Sequence, residues 1–199
     1  MALRAVFLDV GETLVDEERY WGRIAEAIGV RPHVLWAALG ATIARGEEHR
    51  RVFDYLGVDT VPAAPAYYGP EDLYPDALPV IAGLHERGLF VGVAGNQSAE
   101  LESLFAREGW VVDYVASSQR LGVSKPDPAF FDALVAAAGC EPGEAAYVGD
   151  RVDNDVIPAK AAGMVAVHLR RGPWGFLQDA SAADLRVDSL AELPEALGL

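Results

Sequence analysis

The sequence predicts an α/β fold, a parallel sheet with crossover helices, interrupted near its beginning by a small all-helical insertion. Two observations carry this. From residue 73 onward, apolar runs of strand length alternate with amphipathic segments of helix length. Between residues 16 and 72 the strand-like runs vanish and apolar residues recur at helical spacing. The expected layout is an α/β core made of residues 1–15 and 73–199, with residues 16–72 as the insertion. A chain of 199 residues, 51% of them hydrophobic, suits one domain with a buried core and a small inserted subdomain.

Ala5, Val6, Phe7 and Leu8 form a first strand that delivers Asp9. In the insertion, Trp21, Ile24, Ala25 and Ile28 share one helix face and Gly29 stops it. Pro32 opens a second helix carrying Val34, Leu35, Ala38, Leu39, Thr42 and Ile43, and Gly46 breaks it. A third, with Val52, Phe53 and Leu56, ends at Gly57. Residues 59–72, rich in proline, read as a linker. The core then continues with a helix over 76–86, a buried strand over 89–94, a helix over 99–108 and a short strand over 111–116. A helix over 128–138, a strand over 145–148, a helix over 154–162, a strand over 164–169 and a last helix over 189–197 complete it.

Charge narrows the partners. The net charge of −14 leaves no basic face for nucleic acid or an anionic membrane. A small phosphorylated substrate remains compatible if a bound metal supplies positive charge. The single cysteine, Cys140, forms no intrachain disulfide and reads as a plain thiol. The N-terminal apolar run is too short for a signal peptide and no stretch reaches membrane-spanning length, which predicts a cytoplasmic protein.

In open α/β sheets, ligands bind outside the carboxyl ends of the strands. Asp9, Asn96 and Asp150 each follow a predicted strand, and Lys125 in "GVSKPDPAFF" precedes a helix. Two strand-end aspartates suit Mg2+, a hard ion that prefers oxygen ligands. A carboxylate can attack phosphorus covalently, and a lysine can neutralise phosphoryl charge. Taken singly, each residue has a structural reading: Asp9 and Asn96 as turn or cap residues, Asp155 as a first-turn helix residue, Lys125 as a loop lysine. Their joint order and strand-end placement carry the functional reading.

The segments "FLDVGETL", "GVSKPDPAFF" and "YVGDRVDNDVIPAKAAGM" resemble the haloacid dehalogenase-like superfamily, and the likeness covers nearly the whole chain. The resemblance implies a Rossmann-like core with a helical cap inserted after the first motif, and Mg2+-dependent phosphohydrolase activity. It implies Asp9 as a nucleophile forming an aspartyl-phosphate, and Asp150 and the backbone carbonyl of Gly11 as metal ligands beside Asp9. It further implies Asp155 supporting the metal or orienting Lys125, Lys125 on the phosphoryl group, and Asn96 beside the phosphate.

Two positions depart from the family pattern. The phosphatases carry a second aspartate where this chain has Gly11, which protonates the leaving oxygen and then activates water. They carry Ser or Thr where this chain has Gly95. A slow phosphatase of a small metabolite is the first expectation, with Glu12, Asp16, Glu17 or another cap residue as candidate stand-ins. A metal- or phosphate-binding or interaction module is the second, and a dehalogenase-like hydrolase the third. Dehalogenases place an aromatic residue at Gly11, phosphonatases need a cap lysine that this chain lacks, and phosphomutases need the missing aspartate. Tyr20, Trp21, Arg19 and Arg23 lie near the cap junction and could contact substrate, although Trp21 also fits a core position. Trp174 in "RRGPWG" is expected to line the entrance or to make a homodimer contact.

Overall fold

The computed structural model describes residues 2–60 and 68–199. Residues 61–67 of the linker expected at 59–72 lie outside the described residues; its last part, Pro70–Asp72, is a 3-10 turn. Six strands form one parallel sheet: β1 (Ala5–Leu8), β2 (Phe90–Gly95), β3 (Tyr114–Ser117), β4 (Ala145–Gly149), β5 (Val165–Leu169) and β6 (Leu185–Val187), in the order β3-β2-β1-β4-β5-β6. The chain builds outward from β1 to β3, then returns to the other side of β1 with β4. That reversal leaves a crevice at the carboxyl ends of β1 and β4, the place where doubly wound sheets bind ligands. Asp9 and Asp150 stand there.

Alternation along β1 shows how the sheet is covered. Val6 and Leu8 join one apolar layer, and Ala5 and Phe7 the other; all four are fully buried. The first layer is closed by α4 (Ala77–Glu86), α5 (Glu100–Glu108) and α10 (Leu193–Ala196), through Ile81, Leu84, Leu104 and Leu193. The second is closed by α7 (Pro128–Ala138) and α8 (Ile157–Ala161), through Phe130, Phe131, Leu134 and Ala159. Phe7 lies across Gly92 on β2, where a Cβ would fall 2.4 Å from its ring. Glycine there lets the ring settle against the sheet.

The insertion carries α1 (Glu18–Ala27), α2 (Pro32–Ala44) and α3 (Arg51–Tyr55), as the periodicity predicts. Trp21, Ile24, Leu35, Leu39, Ile43, Val52 and Phe53 form a separate apolar cluster. Trp174 of α9 (Gly172–Leu177) is buried in that same cluster, so it ties the insertion to the core. No single helix among the described residues is long and apolar enough to cross a membrane.

Several boundaries differ from the sequence reading. The strand expected at 111–116 runs Tyr114–Ser117, because Val111 is exposed and the Asp113 carboxylate accepts a hydrogen bond from the Val91 amide at the strand's start. The helix expected at 154–162 begins as a wide π-helical turn, Val152–Val156, before α8. The last helix divides into a 3-10 turn, Leu190–Glu192, and α10. β6, α9 and the short α6 (Ser118–Leu121) were not expected.

A polar clamp closes the chain over the end of β1. Asp76 Oδ2 accepts hydrogen bonds from Arg171 Nη2 at 2.6 Å, Ser189 Oγ at 2.7 Å and the Leu190 amide at 3.0 Å. Arg171 Nη1 also donates to the Thr13 carbonyl at 2.8 Å. Burial alone would raise the Asp76 carboxyl, but Arg171, Ser189 and Leu190 outweigh it and hold it below the usual carboxylate range. A depressed carboxyl stabilises the fold above its unfolded pKa, and the contribution is lost as pH falls through the folded value. Asp76→Asn is expected to lower stability by about 1.5–3 kcal/mol near neutral pH. The gap from wild type should close below about pH 4. Urea unfolding near neutrality and in acid checks both.

Candidate active site

The site is assembled from loops at three strand ends and one helix start. Asp9 follows β1, Asp150 follows β4, Lys125 precedes α7, and Asp155 lies in the wide turn before α8. Lys125 Nζ sits 2.7 Å from Asp9 Oδ1 and 2.6 Å from Asp155 Oδ1. All three are buried, and the ammonium also lies 5.4 Å from the centre of the Tyr147 ring.

Local sequence makes this packing possible. A Cβ on Gly149 would fall 2.2 Å from Asp155 Oδ2, so glycine at the end of β4 admits that carboxylate. Asp155 Oδ2 accepts a hydrogen bond from the Arg151 amide at 2.9 Å, which fixes its other oxygen on Lys125. A Cβ on Gly95 would fall 2.7 Å from Asp9 Oδ1, so this glycine makes room for the Asp9–Lys125 pair. The Asn96 side chain accepts from the Lys125 amide at 2.8 Å and donates to the Lys125 carbonyl at 2.9 Å. The resemblance implied a phosphate contact for Asn96. Its amide oxygen and one amide hydrogen are engaged by the lysine backbone, so it positions that lysine while also lining the cleft.

Three carboxylates face one ammonium. Asp9, Asp150 and Asp155 each bring an oxygen within 4.8 Å of the others. Asp150 Oδ2 is buried without a hydrogen-bond partner. Burial, with the charges of Asp155, Asp9 and Glu12, pushes the Asp150 carboxyl well up. Burial pushes Asp9 up to about 6, Lys125 pulling it down and Asp155 adding to the rise. Burial would lower the Lys125 ammonium, but Asp155 and Asp9 outweigh it and hold it well above its ordinary value. A hard cation accepted by Asp150 and Asp9 would satisfy the orphaned oxygen and offset the excess negative charge, so the donor set fits a metal ion.

Residue 11 has no side chain, and the neighbouring carboxylates divide differently around it. Glu12 adopts a left-handed backbone (φ 51°). Its Oε2 accepts from Tyr74 Oη at 2.7 Å and its Oε1 from the Glu17 amide at 3.2 Å. Burial pushes its carboxyl up to about 7. It therefore joins the entry and exit of the insertion. Glu17, just ahead of α1, turns its carboxylate toward Gly11; a Cβ on Gly11 would fall 2.5 Å from Glu17 Oε1. Tyr68 Oη donates to Glu17 Oε1 at 2.7 Å and Trp21 Nε1 to Oε2 at 3.1 Å. Burial raises the Glu17 carboxyl, against the pull of those two donors.

The carboxylates open into a cleft of about 370 Å3 between the strand ends and the insertion. Asp9, Gly11, Lys125, Asp150 and Asn96 form its floor, and Glu17, Tyr20, Trp21, His49 and Arg50 its insertion side. Trp174 lines it with Arg151, whose guanidinium lies 5.0 Å from the indole centre. Arg19 instead pairs with Glu71 and Asp72, and Arg23 is exposed outside the cleft lining. His49, Arg50 and Tyr68 were not singled out from the sequence, since they belong to no spaced motif and only the fold brings them to the cleft; Arg151 follows Asp150 within "YVGDRVDNDV", where it drew no separate role.

The family to which the chain is matched is one of hydrolases. A profile described as haloacid dehalogenase-like hydrolase matches residues 3–163, and the chain belongs to that family. It is 34% identical over 168 residues to the glyceraldehyde 3-phosphate phosphatase of Methanopyrus kandleri, covering 74% of this chain and 72% of that protein. It is 38% identical over 134 residues to the phosphoserine phosphatase of Thermus thermophilus, covering 63% of this chain and 52% of that protein, about half its length. The solved L-2-haloacid dehalogenase RSc1362 superposes with a TM-score of 0.75 at 19% identity, covering all of both chains, a likeness of fold alone.

Lys125→Met would leave Asp9 and Asp155 buried without their counter-charge. The expected cost is about 3–5 kcal/mol. Adding Asp155→Asn should recover part of it, because the two changes share one interaction. Urea unfolding of both variants measures this.

Proposed function

We propose that this protein is a Mg2+-dependent phosphatase of a small phosphorylated metabolite, acting through an aspartyl-phosphate on Asp9. The observation that carries the reading is Asp9, poised at the end of β1 on Lys125 and beside the unpartnered oxygen of Asp150. Family membership and the two phosphatase relatives, both named for small phosphorylated metabolites, support it.

Asp9, Asp150 and the Gly11 carbonyl would hold the ion, with Asp155 behind them. When bound, Mg2+ supplies positive charge that offsets repulsion between the nucleophile and the phosphate. Lys125 keeps Asp9 oriented and ionised and offers charge to the phosphoryl oxygens. Asp155 and Asn96 keep the lysine in place from two sides.

Wild type is expected to release inorganic phosphate in Mg2+ from p-nitrophenyl phosphate or from members of a phosphorylated-metabolite panel. Asp9→Asn should fall to the assay background, and Asp150→Asn should need more Mg2+ for half-maximal rate. Phosphate binding without turnover would favour a binding module. Chloride release from 2-chloropropionate in place of phosphate release would favour a dehalogenase. Either result overturns the proposal.

A further inference from the structure

We propose that Glu17, carried by the insertion, is the proton-transfer group of this site in place of a side chain at residue 11. The inference rests on the phosphatase reading above. A Cβ built on Gly11 would lie 2.5 Å from Glu17 Oε1 and 2.9 Å from its Cδ. An aspartate's own carboxylate oxygens lie at about that reach from its Cβ. The Glu17 carboxylate thus lies in the space into which a side chain on residue 11 would extend, although it comes from the far side of the cleft.

The group is held rather than wandering. Tyr68 Oη and Trp21 Nε1 each donate to one of its oxygens, at 2.7 and 3.1 Å. Each carboxylate oxygen keeps a second lone-pair direction, and Glu17 lines the same cleft as Asp9 and Lys125. Glu12 fits the role less well. Its two oxygens serve Tyr74 and the Glu17 amide, and its Cγ would lie 2.6 Å from a Cβ on Gly172, packed against the start of α9.

The chemistry then balances. An Asp9 oxygen forms a bond to phosphorus as the bond from phosphorus to the ester oxygen breaks. The departing oxygen takes that electron pair and the proton of the Glu17 carboxyl, and leaves as the alcohol. Glu17, now a carboxylate, takes a proton from a water whose oxygen bonds to phosphorus. The bond from phosphorus to the Asp9 oxygen breaks, its electron pair returns to Asp9, inorganic phosphate departs, and Glu17 is again protonated.

Glu17→Gln keeps the shape and the Tyr68 contact while removing the transferable proton. Its test is pre-steady-state hydrolysis of p-nitrophenyl phosphate in Mg2+, with acid-quenched protein analysed for phospho-Asp9. Nitrophenolate needs little protonation, so the variant should keep a stoichiometric burst. Its steady-state rate should fall about 10²–10⁴-fold as phosphoenzyme accumulates. A steady-state rate within about twofold of wild type overturns the assignment, as does loss of the burst itself or the burst pattern appearing in Glu12→Gln instead. In all three cases an active wild type and an inactive Asp9→Asn leave the phosphatase reading standing. A wild type that neither turns over nor forms phospho-Asp9 overturns both.

Discussion

The ammonium of Lys125, buried between Asp9 and Asp155, is the constraint around which the rest of this molecule is arranged. A charged lysine without water is costly unless its partners are close and fixed. Here the partners come from two distant segments and the lysine from a third, so the ion pairs form only when β1, β4 and the loop before α7 are all in register. The surrounding sequence serves that end. Gly149 admits the Asp155 carboxylate, Gly95 admits the Asp9 carboxylate, and Asn96 grips the lysine backbone. Each looks minor in the sequence, and each removes an obstacle to bringing three charges together.

Charge neutralisation is still incomplete after Lys125 is placed. Asp150 brings a third buried carboxyl with one oxygen unpartnered, and the site lies in a chain whose net charge is −14. An arrangement of this kind is unfavourable as a resting fold and useful as a receptor for a cation, because the ion's binding is favoured by what the apoprotein lacks. The site's cost to stability and its competence to hold a metal are thus the same feature seen from two sides. The polar clamp of Asp76 and Arg171, outside the cleft lining, stabilises the same end of the sheet by ordinary hydrogen bonding.

Much of this was legible in the sequence because it is local. The apolar runs that became β1, β2, β4 and β5, and the helical spacing of Trp21, Ile24 and Ala25, are short-range patterns. The strand-end positions of Asp9, Asn96 and Asp150 followed from them. The misses were decided by tertiary contact. "GPWGFL" reads as a loop, with a proline and two glycines, yet forms α9 because Trp174 is buried in the insertion's cluster. Leu185–Val187 is too short to announce a strand and becomes β6 by pairing with β5. Asn96 stood in the right place, but its partners are the backbone atoms of Lys125, 29 residues away. No spacing rule reports such a contact.

The absence of a side chain at residue 11 takes on a different meaning once the insertion is in place. Gly11 and Glu17 form one unit: a side chain on the first would collide with the carboxylate of the second, and Tyr68 and Trp21 hold that carboxylate where it is. Read along the chain, a glycine at the end of "DVG" is a loss. In space it is a vacancy filled from six residues away, by a group whose position depends on how the insertion sits over the strand ends. Asp9, Lys125 and Asp155 belong to the sheet and its loops, whereas Glu17 and its two donors belong to the insertion or its edge. A site divided in this way has its full set of groups only when the helical insertion is seated. The burial of Trp174 in the insertion's own apolar cluster is the contact that seats it.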